Sequence, residues 1–219
     1  MPFRIGILIS GRGSNMLALS EYALQPQVDA EVALVIADKP ALGLDHAAQL
    51  GIDTLVLNRL DYQDRASHEA ALINALDLAR VDAVFLAGYM RVLSGNFCRH
   101  YQGRLFNIHP SLLPRHKGLD THQRALDAGD AEHGCSVHLV TADLDDGPVL
   151  IQRAVPVLAD DDADRLAARV LTQEHMIYPM VLGALVAGLL KIDGDQITME
   201  MGTLPGEIKG MDTPASWPA

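Results

Sequence analysis

A chain of 219 residues, 49% hydrophobic and 21% charged, is long enough for one substantial core and has an ordinary globular composition. Its formal net charge of −11 argues against a general binder of nucleic acid or anionic membrane, whose affinity rests on neutralising phosphates. Cys98 and Cys135, the only two cysteines, lack paired spacing, so neither a disulfide framework nor a metal site is indicated.

No leader peptide is expected, because Arg4 interrupts the first apolar run. Residues 3–9 form a continuous apolar run of buried-strand type, followed by strand-like segments at 31–37, 53–57 and 81–87. Helical patterns lie between them, clearest over residues 62–78, where Ala66, Ala70, Ile73 and Leu76 or Leu78 form the expected apolar face. Strands alternating with helices imply parallel pairing and a doubly wound α/β sheet. Residues 104–108 predict another buried strand, and 135–140 and 149–157 a pair of strands. Acids at 160–164 suit the positive end of a long helix starting near Ala163. The apolar stretch 176–190 is too short for a bilayer and carries Pro179, Gly183 and Gly188, so it reads as a buried helix. Residues 191–200 alternate around Asp193-Gly194-Asp195 and predict a terminal β-hairpin, with a mobile tail over 210–219. A soluble cytoplasmic protein is expected.

Three segments carry candidate chemistry. Ser10-Gly11-Arg12-Gly13-Ser14-Asn15 joins the first strand to a helix, where small residues and free amides either cap the helix or bind a phosphate. Gly11-x-Gly13, with Asp38 at the end of the second strand, also supports a rival: a Rossmann-type NAD-dependent oxidoreductase. Met16 stands at the third glycine position of that fingerprint and weakens it. Next, Asn107 and His109 are two apart on one strand, so they share a face at its carboxyl end. Two prolines, Pro110 and Pro114, end that strand at the usual ligand crevice of an open sheet. The third segment is the acidic turn 141–148. One of its aspartates, if it reached His109, would orient the imidazole and favour its charged form. His133 and His138 are read as structural or supporting. Residues 90–124 hold six basic residues and one acid, leaving +5 there and −16 elsewhere, either a solvated basic face or a field drawing in small anions.

Asn107-Ile108-His109-Pro110-Ser111-Leu112-Leu113-Pro114 and Leu144-Asp145-Asp146-Gly147-Pro148 resemble the two catalytic segments of the folate-dependent formyltransferases. The loop Ile9-Ser10-Gly11-Arg12-Gly13-Ser14-Asn15 is similar to the branch of that family acting on phosphoribosylglycinamide. So are Ala87-Gly88-Tyr89-Met90-Arg91-Val92-Leu93-Ser94 and Thr172-Gln173-Glu174-His175-Met176-Ile177-Tyr178-Pro179. The resemblance implies formyl transfer in purine biosynthesis, with 10-formyltetrahydrofolate as co-substrate and no metal. It implies Asn107, His109 and Asp145 as catalytic residues, and Gly13, Ser14, Asn15 and Glu174 as the phosphoribosylglycinamide site. Arg65, Met90, Arg91, Val92 and Leu93 would line the folate site. Residues 1–209 would form one catalytic domain, the N-terminal half binding phosphate and the C-terminal half holding folate and the catalytic groups.

Partners would be the two small molecules, with no nucleic acid and no membrane, in a monomer or homodimer. Formyltetrahydrofolate hydrolase and methionyl-tRNA formyltransferase are the neighbouring alternatives, and a non-catalytic nucleotide-binding module would not need the three catalytic side chains together. The family often has a histidine where Asp120 stands in Gly118-Leu119-Asp120-Thr121-His122.

Overall fold

The computed structural model describes residues 1–194, 196–210 and 216–217, so Asp195 of the hairpin turn and most of the tail 210–219 lie outside the described residues. The first strand, β1 (Phe3–Ile9), lies inside the sheet, and its last five residues are buried as a both-faces-covered parallel strand requires. Around it lie β2 (Ala30–Ala37), β3 (Thr54–Val56), β4 (Ala83–Leu86), β5 (Leu105–His109), β6 (Glu132–Leu139) and β7 (Val149–Pro156). They form one sheet in the order β3-β2-β1-β4-β5-β6-β7. All neighbours through β4–β5 run parallel, while β5–β6 and β6–β7 are antiparallel. This is the expected doubly wound, mostly parallel sheet.

Alternation along β1 sends Ile5, Ile7 and Ile9 into one core and Leu8 into the other. The first core is covered by α1 (Ser14–Ala23), α2 (Leu42–Gln49), α5 (Thr121–Asp127) and α6 (Ala163–Val186). The second is covered by α3 (Arg65–Leu78) and α4 (Gly95–His100). In α6, the Asp162 side chain accepts the Arg165 amide at 2.8 Å and caps the helix. Asp161 instead pairs with Arg169 at 2.7 Å, which holds its carboxyl down at about 2. Tyr178 of α6 donates to the carbonyls of Leu86 and Phe106 at 3.0 and 3.1 Å, fixing the helix against β4 and β5.

The expected face of α3 is off by about one residue. His68, Glu69, Leu72 and Leu76 are buried, whereas Ala66, Ala70 and Leu78 are exposed and Ile73 is half-buried. Two polar residues on the inner face defeated the apolar pattern. His68 Nε2 reaches the Leu57 carbonyl at 2.9 Å, and Glu69 accepts from Ser94, so both are satisfied inside. The helix itself begins after Asp64, whose side chain forms a capping box with Ser67. Beyond α6 the chain turns into the antiparallel hairpin of β8 (Leu190–Asp193) and β9 (Gln196–Met199), and β10 (Gly202–Thr203) pairs with β11 (Ser216–Trp217).

Candidate active site

The chain leaves β1 towards β2 on one side and returns to β4 on the other, so the crevice between the loops after β1 and β4 is the switch point of the sheet. On its first wall, Gly13 has a φ of 75° and caps α1. A Cβ there would sit 3.0 Å from Gly43 Cα and 3.1 Å from Met16 Cε. Glycine is therefore needed twice over, for the left-handed turn and for the close approach of the two helix starts. Ser14 is half-buried, and the Asn15 amide donates to Glu174 Oε2 at 2.6 Å. That bond joins Gly13, Ser14 and Asn15 to a residue 159 positions away. Burial pushes the Glu174 carboxyl up, and Asn15 Oδ1 is buried without a partner.

The dinucleotide reading of this loop is corrected by its surroundings. Met16 is fully buried and fills the space between helix and strand. Asp38 is 2% exposed and its carboxylate is bonded to Arg91 at 2.7 Å, which removes it from any ribose.

The second wall is the loop after β4. Met90 donates its amide to Ser10 Oγ at 2.9 Å, closing the switch point. At the loop's far end, buried Glu69 accepts from the Ser94 amide at 2.8 Å, from the Ser94 hydroxyl and from Arg65 Nε at 2.9 Å. Arg65 is thereby tied to the loop holding Met90, Arg91, Val92 and Leu93. Met90, Arg91 and Val92 are exposed, but Leu93 is buried in the core and supports the loop from beneath.

The third wall carries the polar cluster. Asn107 and His109 share a face of β5 and pair in register with His138 and Ser136 of β6. The loop after β6 folds back over its own strand, and Gly147 lies so close to the Leu139 carbonyl that a Cβ would come within 1.8 Å of it. This return presents Asp145, at a left-handed φ of 49°, to the end of β5. Its Oδ2 lies 3.5 Å from His109 Nδ1 and accepts the Gly118 amide at 2.9 Å, and its Oδ1 lies 3.7 Å from His138 Nε2. The other ring nitrogen of His109, Nε2, contacts the His116 carbonyl at 3.0 Å. Asn107, His109 and Asp145 are thus linked in space, with His138 between two of them: Asn107 Nδ2 contacts its Nε2 at 3.0 Å.

His133 is 1% exposed and meets His122 at 3.2 Å, with burial pushing its imidazole down to about 4. Asp120 is exposed and caps α5 in a left-handed conformation without a side-chain bond.

Four of the six cations of 90–124 are engaged by partners that the linear count does not show. Arg91, Arg115 and Lys117 pair with Asp38, Asp130 and Asp146, all acids outside that segment. Arg104 donates to the carbonyls of Val81 and His100 at the opposite end of β5, with its guanidinium 4.7 Å from the Tyr101 ring centre. Charge counted along the chain overlooked partners brought in by folding.

A model of the formyl transferase family matches residues 3–182. The chain belongs to that family. Among its relatives is phosphoribosylglycinamide formyltransferase of Escherichia coli K12, 46% identical over 92% of this chain and 95% of the relative. A solved phosphoribosylglycinamide formyltransferase from Brucella melitensis is 51% identical, covering 88% of this chain and all of that one, with a TM-score of 0.82. Glycinamide ribonucleotide transformylase 1 from Symbiobacterium toebii superposes with a TM-score of 0.87 at 40% identity, over 91% and 94% of the two chains.

In this formyl transferase, sequence reasoning missed Glu69 and the Asp38–Arg91 pair as supports of the second wall, and it gave His138 no contact with Asn107. The i,i+4 spacing of Arg65 and Glu69 was the one local signal; the Ser94, Arg91 and Asn107 partners come from other elements. Among the described residues no helix is long and apolar enough to cross a membrane.

Proposed function

We propose that this formyl transferase moves the formyl group of 10-formyltetrahydrofolate to the amine of 5'-phosphoribosylglycinamide, giving phosphoribosyl-N-formylglycinamide and tetrahydrofolate in purine biosynthesis. The observation that carries the reading is the convergence of Asn107, His109 and Asp145 at the carboxyl end of β5, in a chain 46% identical to the E. coli enzyme over nearly its whole length. Residues 1–209 act as one catalytic domain in this reading, and small molecules are its substrates.

The amide groups at the start of α1, with Gly13, Ser14 and Asn15, receive the phosphate, since a helix start offers unpaired donors and a positive field. Glu174, oriented by Asn15, faces the glycinamide portion. Exposed Met90 and Val92, with Leu119 and Leu144 on the adjoining loops, give the flat folate ring an apolar surface, and Arg65 supplies a cation beside them.

The acceptor nitrogen attacks the formyl carbon, forming a C–N bond and a tetrahedral intermediate. Negative charge gathers on the former carbonyl oxygen. Asn107 has one amide hydrogen on His138, which leaves the second for that oxygen. His109 is held by the His116 carbonyl at Nε2. Its Nδ1 lies 3.5 Å from Asp145, too far for a full hydrogen bond, so in the charged ring the Nδ1 hydrogen remains available to the oxyanion while the carboxylate beside it balances the ring's charge. Asp145 takes the proton released by the attacking amine and passes it on to the folate nitrogen; the oxyanion then re-forms the carbonyl as the bond from that nitrogen to the formyl carbon breaks.

An absorbance assay with 10-formyltetrahydrofolate, run with and without phosphoribosylglycinamide, tests the reading. Tetrahydrofolate formed only with the acceptor is expected. Product without acceptor would identify a hydrolase, and no product would refute the assignment.

A further inference from the structure

We propose that His138 is a positioning residue that fixes which end of the Asn107 amide faces the reacting formyl oxygen. The inference rests on formyl transfer being the reaction and adds a residue to its machinery.

His138 is 2% exposed and sits on β6 directly opposite Asn107. Its Nδ1 lies 2.8 Å from the Leu139 carbonyl, an atom that can only accept, so Nδ1 carries the hydrogen. In the neutral ring Nε2 is then a bare acceptor, and only the NH2 end of Asn107 can satisfy it at 3.0 Å. A carboxamide has donors at one end and an acceptor at the other, so satisfying His138 settles the orientation of the whole group. If the amide turned over, Asn107 would direct its carbonyl oxygen where negative charge develops, and a stabilising donor would become a repulsive acceptor.

The arrangement holds while the ring is neutral. Burial favours that form, and the charged groups facing the ring are Asp145 from the loop after β6, His109 from β5 and Lys117 from the loop before α5. Of these, the Asp145 carboxylate is the one that favours the imidazolium, and its Oδ1 is 3.7 Å from Nε2. A proton on Nε2 would turn that atom into a donor, releasing Asn107 and drawing Asp145 towards His138.

The test is a double-mutant cycle on full-length protein, after wild-type turnover with formyl folate and acceptor has been measured; absence of that turnover would count against the formyl-transfer reading itself. His138→Leu, which removes the acceptor while remaining apolar, is expected to lower kcat on the order of 10²-fold, the usual cost of one misplaced oxyanion donor. KM for both substrates should stay within about threefold, since ground-state binding is untouched. His138→Gln keeps an acceptor oxygen on a side chain of similar reach, and should recover at least tenfold of that loss. In an Asn107→Ala background His138→Leu should cost no further turnover, because the group it orients is gone. A general packing role would cost turnover in both backgrounds. That result, wild-type kcat in His138→Leu, or failure of His138→Gln to recover turnover while its thermal melt matches wild type, would overturn the proposal.

Discussion

The two ends of the crevice are built from different materials. In the proposed reading, the working groups at the β1–α1 turn are backbone amides, for which two glycines leave room. Around β5 and β6 they would be side chains, aimed by antiparallel register and by a loop folded back on itself. A backbone site is indifferent to most side-chain chemistry but intolerant of an added Cβ. A side-chain site is the reverse: isosteric changes leave the fold alone and remove the chemistry. Mutations should therefore separate binding from turnover along this line.

The largest effect is expected at Asp145. Asp145→Asn keeps shape and the acceptor for the Gly118 amide but removes the charge, and should lower kcat by about 10²–10⁴ with KM nearly unchanged. Steady-state kinetics would show it, and a large rise in KM would erase the contrast between the two ends. Asn107→Ala should follow, at about 10²–10³ in kcat for one lost oxyanion donor. A variant that folds normally and turns over near the wild-type rate would break the assignment.

Gly13→Ala should do the opposite. With φ at 75° and neighbours at 3.0 and 3.1 Å, the added methyl is expected to destabilise the fold by about 1–2 kcal/mol from the left-handed turn alone and to raise KM for the phosphorylated acceptor. Thermal melts and acceptor titrations would check it, and unchanged KM would remove the phosphate from this turn.

Glu174→Gln sharpens the comparison, because this one side chain belongs to the backbone-built end. Burial raises its pKa, so the folded state holds its proton more tightly and the carboxylate costs stability as pH rises above the unfolded value of 4.5. The neutral amide should raise the melting temperature by a few degrees near pH 7 while weakening acceptor binding. A lowered melting temperature would contradict the burial argument.

The last effect concerns acid and lies outside the contrast between the two ends. His122, His133, His138 and His175 are all held below the ordinary histidine value, in each case chiefly by burial. The unfolded chain then binds more protons than the native one as pH falls from 6.5, so stability is present above 6.5 and lost on acidification. For His133 the window extends down to about 4, at up to about 1.4 kcal/mol per pH unit. Melting temperature measured from pH 7 to pH 4 should fall, and His133→Phe should flatten the curve; a flat wild-type curve would refute the neutral cluster.

Legibility followed the range of the interaction. β1 was readable to the residue, because a run of five buried positions needs no knowledge of its neighbours. The face of α3 was misread, because the burial of His68 and Glu69 depends on Leu57 and Ser94, which the helix pattern does not contain. The basic segment left two readings open, a solvated face or a field for small anions, because Asp38, Asp130 and Asp146, which pair with three of its cations, arrive from elsewhere in the chain.

By itself the sequence determined the alternation of strands and helices, the glycine turn after β1, and the placing of Asn107 and His109 on one face at a strand end. These follow from periodicity and from residue-level conformational limits, which act over a few positions. Only the tertiary structure decided that β6 runs antiparallel in a register that sets His138 against Asn107, that Asp145 returns to His109, and that Asn15 meets Glu174. Register and loop return are set by packing between distant segments, and the one-dimensional pattern of a strand is compatible with several such pairings.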